Sequence, residues 1–199
     1  MTSGAAPRSH SRDEIELKLP CQSLDAIRQK LREQGASPIS PLHFESNDLY
    51  DDGEGRLRSS ESTLRLRRAN DETILTYKGA ARFEGGIKRR EEREIRVSDG
   101  EETEAILAGL GLTRRFRYEK QREEWKLEDC VIALDRTPIG DFVEIEGDPT
   151  RIRRVVALLG LDPSEAIPYS YAKLYALRRQ QDPSLPPDMV FRPAPERSP

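Results

Sequence analysis

Charged residues of both signs recur in closely spaced pairs along this sequence. Glu14 and Glu16 form one acidic pair, Glu144 and Glu146 form another, and the pair at positions 65 and 67 is basic. Carboxylate oxygens hold hard divalent cations such as Mg²⁺ or Mn²⁺. Arginine and lysine neutralise phosphate oxygens, arginine often with two parallel hydrogen bonds. Acids and bases brought together on one surface would therefore suit a metal-bound polyphosphate, which neither set would hold alone.

The spacing of these pairs predicts that β-strands position them. Around Glu14, charged residues alternate with Ile15, Leu17 and Leu19, and this period of two is typical of a strand. Residues i and i+2 then lie about 6.5–7 Å apart on one face. Eight such segments are predicted, over residues 13–19, 43–51, 63–67, 73–78, 88–97, 115–124, 126–134 and 141–146.

Helices are predicted between some of these strands. They cover 24–34 with Ser23 as N-cap, 101–110 after Ser98 or Asp99, a segment that Thr150 caps and that runs to 159, and 171–180. Pro38 and Pro41 are expected to break the chain before the second strand. Residues 53–61 are expected to form a polar turn and 79–86 a glycine-bearing loop. The predicted domain covers 13–180, between a disordered lead (1–12) and a Pro-rich disordered tail (181–199).

Many strands with a few helices predict an α+β protein built on an antiparallel barrel or a strongly curved sheet, with helices outside. One face of the strands is charged and the other is apolar. An ordinary barrel would bury the apolar face inside and leave the charges in water. Because like charges cluster at i, i+2 and amphipathic helices are available to cover an apolar outer wall, we favour a wide barrel with a charged lumen. The charged face carries Glu14, Glu16, Lys18, Arg65, Arg67, Lys78, Arg90, Glu92, Glu94, Lys120, Arg122, Asp135, Glu144 and Glu146.

Composition argues against several other classes of protein. The net charge is −3 and aromatic residues make up 6% without interleaving the basic strands, so a nucleic-acid partner is not expected. Two cysteines and two histidines, without metal spacing, predict reduced thiols and no zinc site. Residues 1–12 lack the apolar core of a signal peptide, and no run approaches the ~18 apolar residues of a membrane span. A cytoplasmic protein without a membrane partner is predicted.

The order of these motifs resembles the CYTH family, the triphosphate tunnel metalloenzymes. Glu14-x-Glu16-x-Lys18 resembles the opening signature of that family, and the resemblance covers roughly residues 13–175. The other matching segments are Tyr50-Asp51, Leu64 to Arg67, Leu75 to Gly79, Arg90-x-Glu92-x-Glu94, Lys120-x-Arg122, Leu134-Asp135, Gly140 to Glu146 and Ser170-Tyr171-x-Lys173. The segments at 78–79 and 140–146 look most like the class IV adenylyl cyclase branch.

The resemblance implies an eight-stranded antiparallel tunnel that binds a triphosphate lengthwise with Mg²⁺ or Mn²⁺. It implies metal ligands at Glu14, Glu16, Glu94, Glu144 and Glu146, with Glu92 and Asp135 either joining them or holding an arginine. It implies phosphate ligands at Lys18, Arg65, Arg67, Lys78, Arg90, Lys120, Arg122 and Lys173, of which Lys18, Arg65, Arg67, Lys78 and Lys120 would be catalytic. The alternative for each residue is a purely structural ion pair, which we prefer for Arg68, Glu91 and Arg93 on the opposite face.

Two enzymatic functions follow from the resemblance. A hydrolase would direct water at inorganic triphosphate, ATP or thiamine triphosphate, whereas a cyclase would convert ATP to cyclic AMP and pyrophosphate. Hydrolysis is preferred because water needs no further recognition, and no motif marks an adenine pocket. A non-catalytic polyphosphate- or nucleotide-binding module is the third hypothesis. The sequence leaves monomer and homodimer open.

Overall fold

The computed structural model describes residues 12–192, and within them an antiparallel sheet closes into a barrel. The strands are β1 (Arg12–Cys21), β2 (Ser37–Asp51), β3 (Thr63–Ala69), β4 (Glu72–Lys78), β5 (Arg82–Glu84), β6 (Ile87–Val97), β7 (Thr113–Leu127), β8 (Cys130–Thr137) and β9 (Gly140–Glu146). The helices are α1 (Leu24–Glu33), α2 (Arg56–Ser59), α3 (Gly100–Gly109), α4 (Pro149–Leu158) and α5 (Tyr171–Gln181), with a 3₁₀ turn at Pro163–Glu165.

Eight strands form the closed wall, in the order β1-β9-β8-β7-β2-β3-β4-β6, and β6 pairs back onto β1. Glu14 lies opposite Arg90 at this closing seam. The short β5 pairs with the first residues of β6 and extends the wall beyond the end of β4. The predicted α+β fold, an eight-stranded antiparallel barrel with helices outside, is confirmed.

The main apolar core lies outside the barrel wall. Leu17, Ile132 and Ile145 point outward from β1, β8 and β9 and are buried against α1 and α4. From the helices, Leu31 and Val155 pack onto this wall with no exposed surface. Burial stabilises by roughly 25 cal/mol per Å² of apolar surface, so the helices fix which face of each strand turns outward. The charged face is left for the lumen.

Two helix ends illustrate how local sequence sets these helices. Ser23 caps α1 as predicted, and its hydroxyl accepts a hydrogen bond from the backbone N–H of Ala26. The N-cap of α4 is Asp148 rather than the predicted Thr150, whose own N–H donates to the Asp148 carboxylate. Pro149 occupies the first turn, where its missing N–H costs nothing.

The second strand is longer than predicted, because it begins at Ser37 and includes Pro38 and Pro41. Its register on β7 shifts between Pro38 and Ser40 and again between Ser40 and His43. Such irregularities are where a strand tolerates proline, which cannot donate to the ladder. The predicted break before His43 is therefore wrong.

The boundary between β7 and β8 also differs from the prediction. β7 continues to Leu127, and the turn falls at Glu128 and Asp129, which both adopt positive φ, at 52° and 57°. Two successive residues of this kind match a tight hairpin turn. The loops at 53–61 and 79–86 contain α2 and β5 respectively.

The segment after α5 differs from the predicted disorder as far as residue 192. Met189 is fully buried and bridges Tyr118 of β7, and the Tyr175 hydroxyl donates to the carbonyl oxygen of Pro186. Residues 1–11 and 193–199 of the predicted lead and tail lie outside the described residues. The domain boundaries remain a prediction.

Candidate functional site

The barrel encloses a cavity of about 1910 Å³ with charged walls. Fourteen of the fifteen predicted metal and phosphate ligands line it, and the exception is Asp135. The lining continues through α5 and the 51–62 segment. The prediction that the charged face turns inward is confirmed, whereas the role of each side chain remains a prediction.

The charges are divided between two halves of the wall. The adjoining strands β9, β1, β6 and β4 carry all the acidic residues of the lining that were predicted as metal ligands, together with several lysines and Arg90. The charged residues that the adjoining strands β3, β2, β7 and β8 contribute to the lining are mostly cations, with two acids, Asp51 and Glu124; the cations are Arg65, Arg67, Arg115, Lys120 and Arg122. We call these halves the acid-rich wall and the base-rich wall. A ligand in the cavity would have most of the carboxylates on one side and most of the guanidinium groups on the other.

Glu14 is the most strongly paired acid of the acid-rich wall. Its two carboxylate oxygens contact Lys78 Nζ and Arg90 Nε, each at 2.5 Å. Burial by itself would raise the pKa of Glu14, but the charges of Lys78, Arg90 and Lys88 outweigh it and hold the pKa far below its ordinary value. Glu14 is therefore ionised at any physiological pH.

Lys18 and its partner Glu144 lie where the acid-rich wall meets the base-rich wall. The ammonium group of Lys18 lies 3.1 Å from Glu144 and 4.1 Å from the centre of the Tyr171 ring, and it donates to the Tyr169 carbonyl oxygen. Glu144 is also paired with Arg122. Burial lowers the pKa of Lys18, but Glu144 and Glu16 raise it by more, so the lysine stays charged.

Asp135 lies behind the cavity surface and is fully buried. Arg122 donates to both of its oxygens, at 2.7 and 2.6 Å, and Lys120 and the Tyr171 hydroxyl donate at 3.1 and 2.7 Å. With its acceptor sites occupied in this way, Asp135 holds the two cations in place. Of its two predicted roles, the geometry favours holding an arginine over binding a metal.

Arg65 and Arg67 are less tightly paired than Arg122. Glu94 lies 3.8 Å from Arg65 and 3.6 Å from Arg67, and Glu45 lies 3.6 Å from Arg67. These distances exceed those of good charge-assisted hydrogen bonds, which are about 2.7–2.9 Å. The two arginines can therefore exchange partners at lower cost than Arg122 can.

Buried polar atoms without hydrogen-bond partners concentrate beside these two arginines. In residues 12–192 they are Glu45 Oε2, both amide atoms of Asn47, Arg65 Nε and Arg67 Nε. All belong to β2 and β3, and Asn47 lies opposite Arg67 in the ladder. Buried polar groups are almost always satisfied, so this part of the base-rich wall is suited to a polar ligand or ordered water.

Glu146 provides the test of whether the acid-rich wall suits a metal ion. Its side chain is open to the cavity water, yet the surrounding protein and the nearby charges of Glu14, Glu92 and Glu16 raise its pKa to about 7. An accumulation of carboxylates that disfavours a further negative charge is electrostatically suited to a divalent cation, and an all-oxygen donor set matches Mg²⁺ or Mn²⁺. In the described part of the chain, no three His, Cys, Asp or Glu side chains already converge as a metal site. The acids instead hold lysine and arginine, so metal binding would exchange these partners.

Several residues of the site were missed by the sequence interpretation. Lys88 pairs with Glu16, and Glu45 lies 3.5 Å from Lys120. Lys88 lies two residues before Arg90, so extending the alternation by one step would have found it, whereas no residue of the second strand had been assigned to the charged face and Glu45 had no such signal. Tyr171 was noted only as part of a motif, and its hydroxyl contact with Asp135 depends on how α5 packs.

The remaining predicted residues lie at the edge of the network or outside it. Lys173 lines the cavity from α5 and is exposed. On the outer face, Arg93 pairs with Glu91 at 2.6 Å and Arg68 with Asp48 at 2.9 Å. The predicted outer-face ion pairs are confirmed.

Among the described helices, none combines the length and the apolar character that a transmembrane helix requires.

Comparison with known proteins was made on sequence and on fold. The CYTH domain model matches residues 12–156. A Methanocaldococcus jannaschii protein, provisionally named an adenylate cyclase, is 30% identical over 135 residues, which are 67% of this chain and 75% of the relative. A structure from Vibrio parahaemolyticus, also provisionally named an adenylate cyclase, has a TM-score of 0.72 at 19% identity and covers 84% of this chain and 99% of its own.

A Hippeastrum protein has a TM-score of 0.63 at 22% identity, over 87% of this chain and 98% of its own. It is described as a provisional adenylyl cyclase with a dominant triphosphatase activity. At these identities the two solved structures show a shared fold. The domain match spans the whole barrel, from β1 into α4. The chain belongs to the CYTH domain family.

Proposed function

We propose that this protein is a divalent-metal-dependent triphosphatase that hydrolyses a phosphoanhydride bond of inorganic triphosphate or of an organic triphosphate. The observation that carries the proposal is the opposition of an acid-rich and a base-rich wall within one cavity. A metal-bound polyphosphate presents positive charge to one wall and negative charge to the other. Membership of the CYTH family supports the same class of substrate.

In this proposal Glu14, Glu16 and Glu146 would hold Mg²⁺ or Mn²⁺, with Glu144 beside them. The bound ion would neutralise charge on phosphate oxygens, a contribution central to phosphoryl transfer. Lys78, Lys88 and Arg90 now neutralise two of these acids. They would turn to the phosphate chain once the acids have a new partner.

The base-rich wall would bind and orient the phosphate chain. Arg65 and Arg67, with long contacts and unpartnered Nε atoms, are the side chains readiest to donate to phosphate oxygens. Lys120 and Arg122 would remain fixed by Asp135 and present their other hydrogens. Holding the phosphate chain from both sides orients the attacked phosphorus for in-line displacement by water. This lowers the entropic part of the activation barrier of hydrolysis.

Cyclisation of ATP is the second candidate, because the M. jannaschii relative carries the adenylate cyclase name. The ribose 3′-hydroxyl would attack the α-phosphorus and pyrophosphate would leave, with the same cations in use. Hydrolysis is preferred since water needs no further recognition. The dominant triphosphatase activity described for the Hippeastrum protein is compatible with the shared fold.

Product analysis separates the candidates. Purified protein is incubated with Mg²⁺ or Mn²⁺ and either inorganic triphosphate or ATP, and the products are resolved by phosphorus NMR. Orthophosphate release supports the triphosphatase, and cyclic AMP with pyrophosphate supports the cyclase. Binding without either product would overturn both in favour of a non-catalytic binding module.

A double variant, Glu14→Gln with Glu16→Gln, tests the acid-rich wall. Because amides are weak metal ligands and carry no charge, we expect metal-dependent turnover to be lost while the circular dichroism spectrum is kept. Glu91→Gln, on the outer face of β6, is the matched control and should retain full activity. Unchanged turnover in the double variant would refute the metal assignment.

A further inference from the structure

Three apolar side chains that line the charged cavity are exposed to water. They are Ile39, Phe83 and Val131, and 51%, 49% and 36% of their respective surfaces are exposed. Exposing large apolar side chains to water is unfavourable unless something covers them, and such patches commonly mark a binding site. We call these three residues the apolar rim.

The strand ladders connect the rim to the acid-rich wall. Val131 of β8 pairs with Glu146 of β9, Glu146 pairs with Glu16 of β1, Glu16 pairs with Lys88 of β6, and Lys88 pairs with Phe83 of β5. Phe83 and Val131 therefore end one continuous row of residues across five strands. The two acids of this row, Glu146 and Glu16, are among the residues proposed to hold the metal, and Lys88 is paired with Glu16.

Ile39 reaches the same region from the other side. It lies on β2 between Pro38 and Ser40, and Ser40 pairs with Glu124 of β7. Glu124 in turn pairs with Ala133, two residues along β8 from Val131. The rim thus borders the cavity where the adjacent charges are Glu124, Glu146 and, beside Phe83, Lys88.

We propose that the apolar rim binds the organic group of the substrate, a heteroaromatic ring system joined to the triphosphate, and so makes organic triphosphates preferred over inorganic triphosphate. The inference rests on the proposed function. An apolar ring is covered by the rim side chains while its phosphates extend toward the arginines of the base-rich wall. Because Lys88 beside Phe83 is already paired with Glu16, the acidic neighbours Glu124 and Glu146 favour a neutral or cationic ring over an anionic one.

The rim is tested by comparing substrates that share the triphosphate and differ in the ring. Phosphate release gives KM for inorganic triphosphate, ATP and thiamine triphosphate, and the rise in Tm with each ligand in excess with Mg²⁺ reports binding without turnover. We expect Phe83→Ala to raise KM for at least one organic substrate about tenfold and to leave KM for inorganic triphosphate within about twofold. Val131→Thr keeps the side-chain shape and should shift KM in the same direction.

Ile106→Ala on α3 is the matched control, because Ile106 is an exposed apolar residue outside the cavity lining. It should change no KM. If Phe83→Ala changes KM equally for organic and inorganic substrates, or changes neither KM, the inference is overturned. A protein partner would then be the remaining candidate to occupy the rim. If the wild type cleaves no triphosphate, the proposed function fails, and the Tm shifts alone decide whether the rim distinguishes organic from inorganic ligands. Absence of any Tm shift would overturn both.

Discussion

Replacing Asp135 by asparagine should separate a structural role from metal binding. Asn is nearly isosteric, but it loses the charge that faces Arg122 and Lys120, and its NH₂ group cannot accept their hydrogens or that of Tyr171. Breaking a buried ion pair costs about 3–5 kcal/mol. Because Arg122 keeps Glu144 and one asparagine oxygen still accepts, we expect the lower end, about 3 kcal/mol. That corresponds to a fall in Tm of about 6–12 °C for a chain of this length.

The assay is thermal and urea unfolding of wild type and Asp135→Asn, each in EDTA and in saturating Mg²⁺. If Asp135 only holds its cations, the variant is destabilised in EDTA and Mg²⁺ stabilises both proteins by the same increment. Asp129→Asn, which removes an exposed partner of Arg151, is the control and should leave Tm unchanged. A wild-type Tm in EDTA, or loss of the Mg²⁺ increment in the variant, would refute the reasoning.

Three other predictions concern single side chains. Arg67→Ala should raise KM for triphosphate about ten- to a hundredfold, which corresponds to the loss of a charge-assisted hydrogen bond. Arg93→Ala, on the outer face, is the control and should leave KM unchanged. An effect of Arg67→Ala on Tm alone would indicate a purely structural ion pair. The hydrogen bond with Glu45 raises the pKa of His43 despite the partial burial of the imidazole. The stabilisation of the folded protein by protonated His43 is therefore complete below about pH 6.5 and is lost as the pH rises through the raised pKa. His43→Gln should therefore reduce Tm at pH 5.5 more than at pH 9, and a pH-independent difference would contradict this. Asp148→Ala should lower the free energy of unfolding, measured by chemical denaturation, by about 1 kcal/mol through loss of the α4 N-cap. An unchanged free energy of unfolding would indicate that Thr150 is the cap instead.

The strands and the inward charges could be predicted because both depend on a local pattern. At β1, each Glu or Lys is followed by an apolar residue, and the same period identifies its partners in the barrel. Alternation does not say which face is inside. That choice is made by α1 and α4, whose apolar faces need a wall to cover, and the amphipathic pattern of Leu24, Ile27 and Leu31 made it arguable beforehand.

The remaining features depend on contacts between distant parts of the chain. Asp135 looks like any other lumen acid in the sequence, and only the three-dimensional arrangement brings Tyr171 to it from 36 positions away. Pro38 and Pro41 predict a break because proline has no N–H to donate to a strand ladder. In the structure the pairing of β2 with β7 accommodates both prolines through shifts in register. The looseness of Arg67 beside the fixed Arg122 is likewise a matter of distances.

The cavity is already neutralised from within, and this sets a threshold for any ligand. With the exception of Arg115, which donates to the Asp52 carbonyl oxygen, each cationic side chain that the barrel strands contribute to its lining, in residues 12–192, is in an ion pair with a carboxylate of the barrel. A phosphate compound must therefore compete with these internal counter-ions instead of filling open positions. A monophosphate displaces one or two of them and recovers little, whereas a chain of three phosphates replaces several at once along both walls. Discrimination by chain length follows from this competition, without any side chain that measures the length.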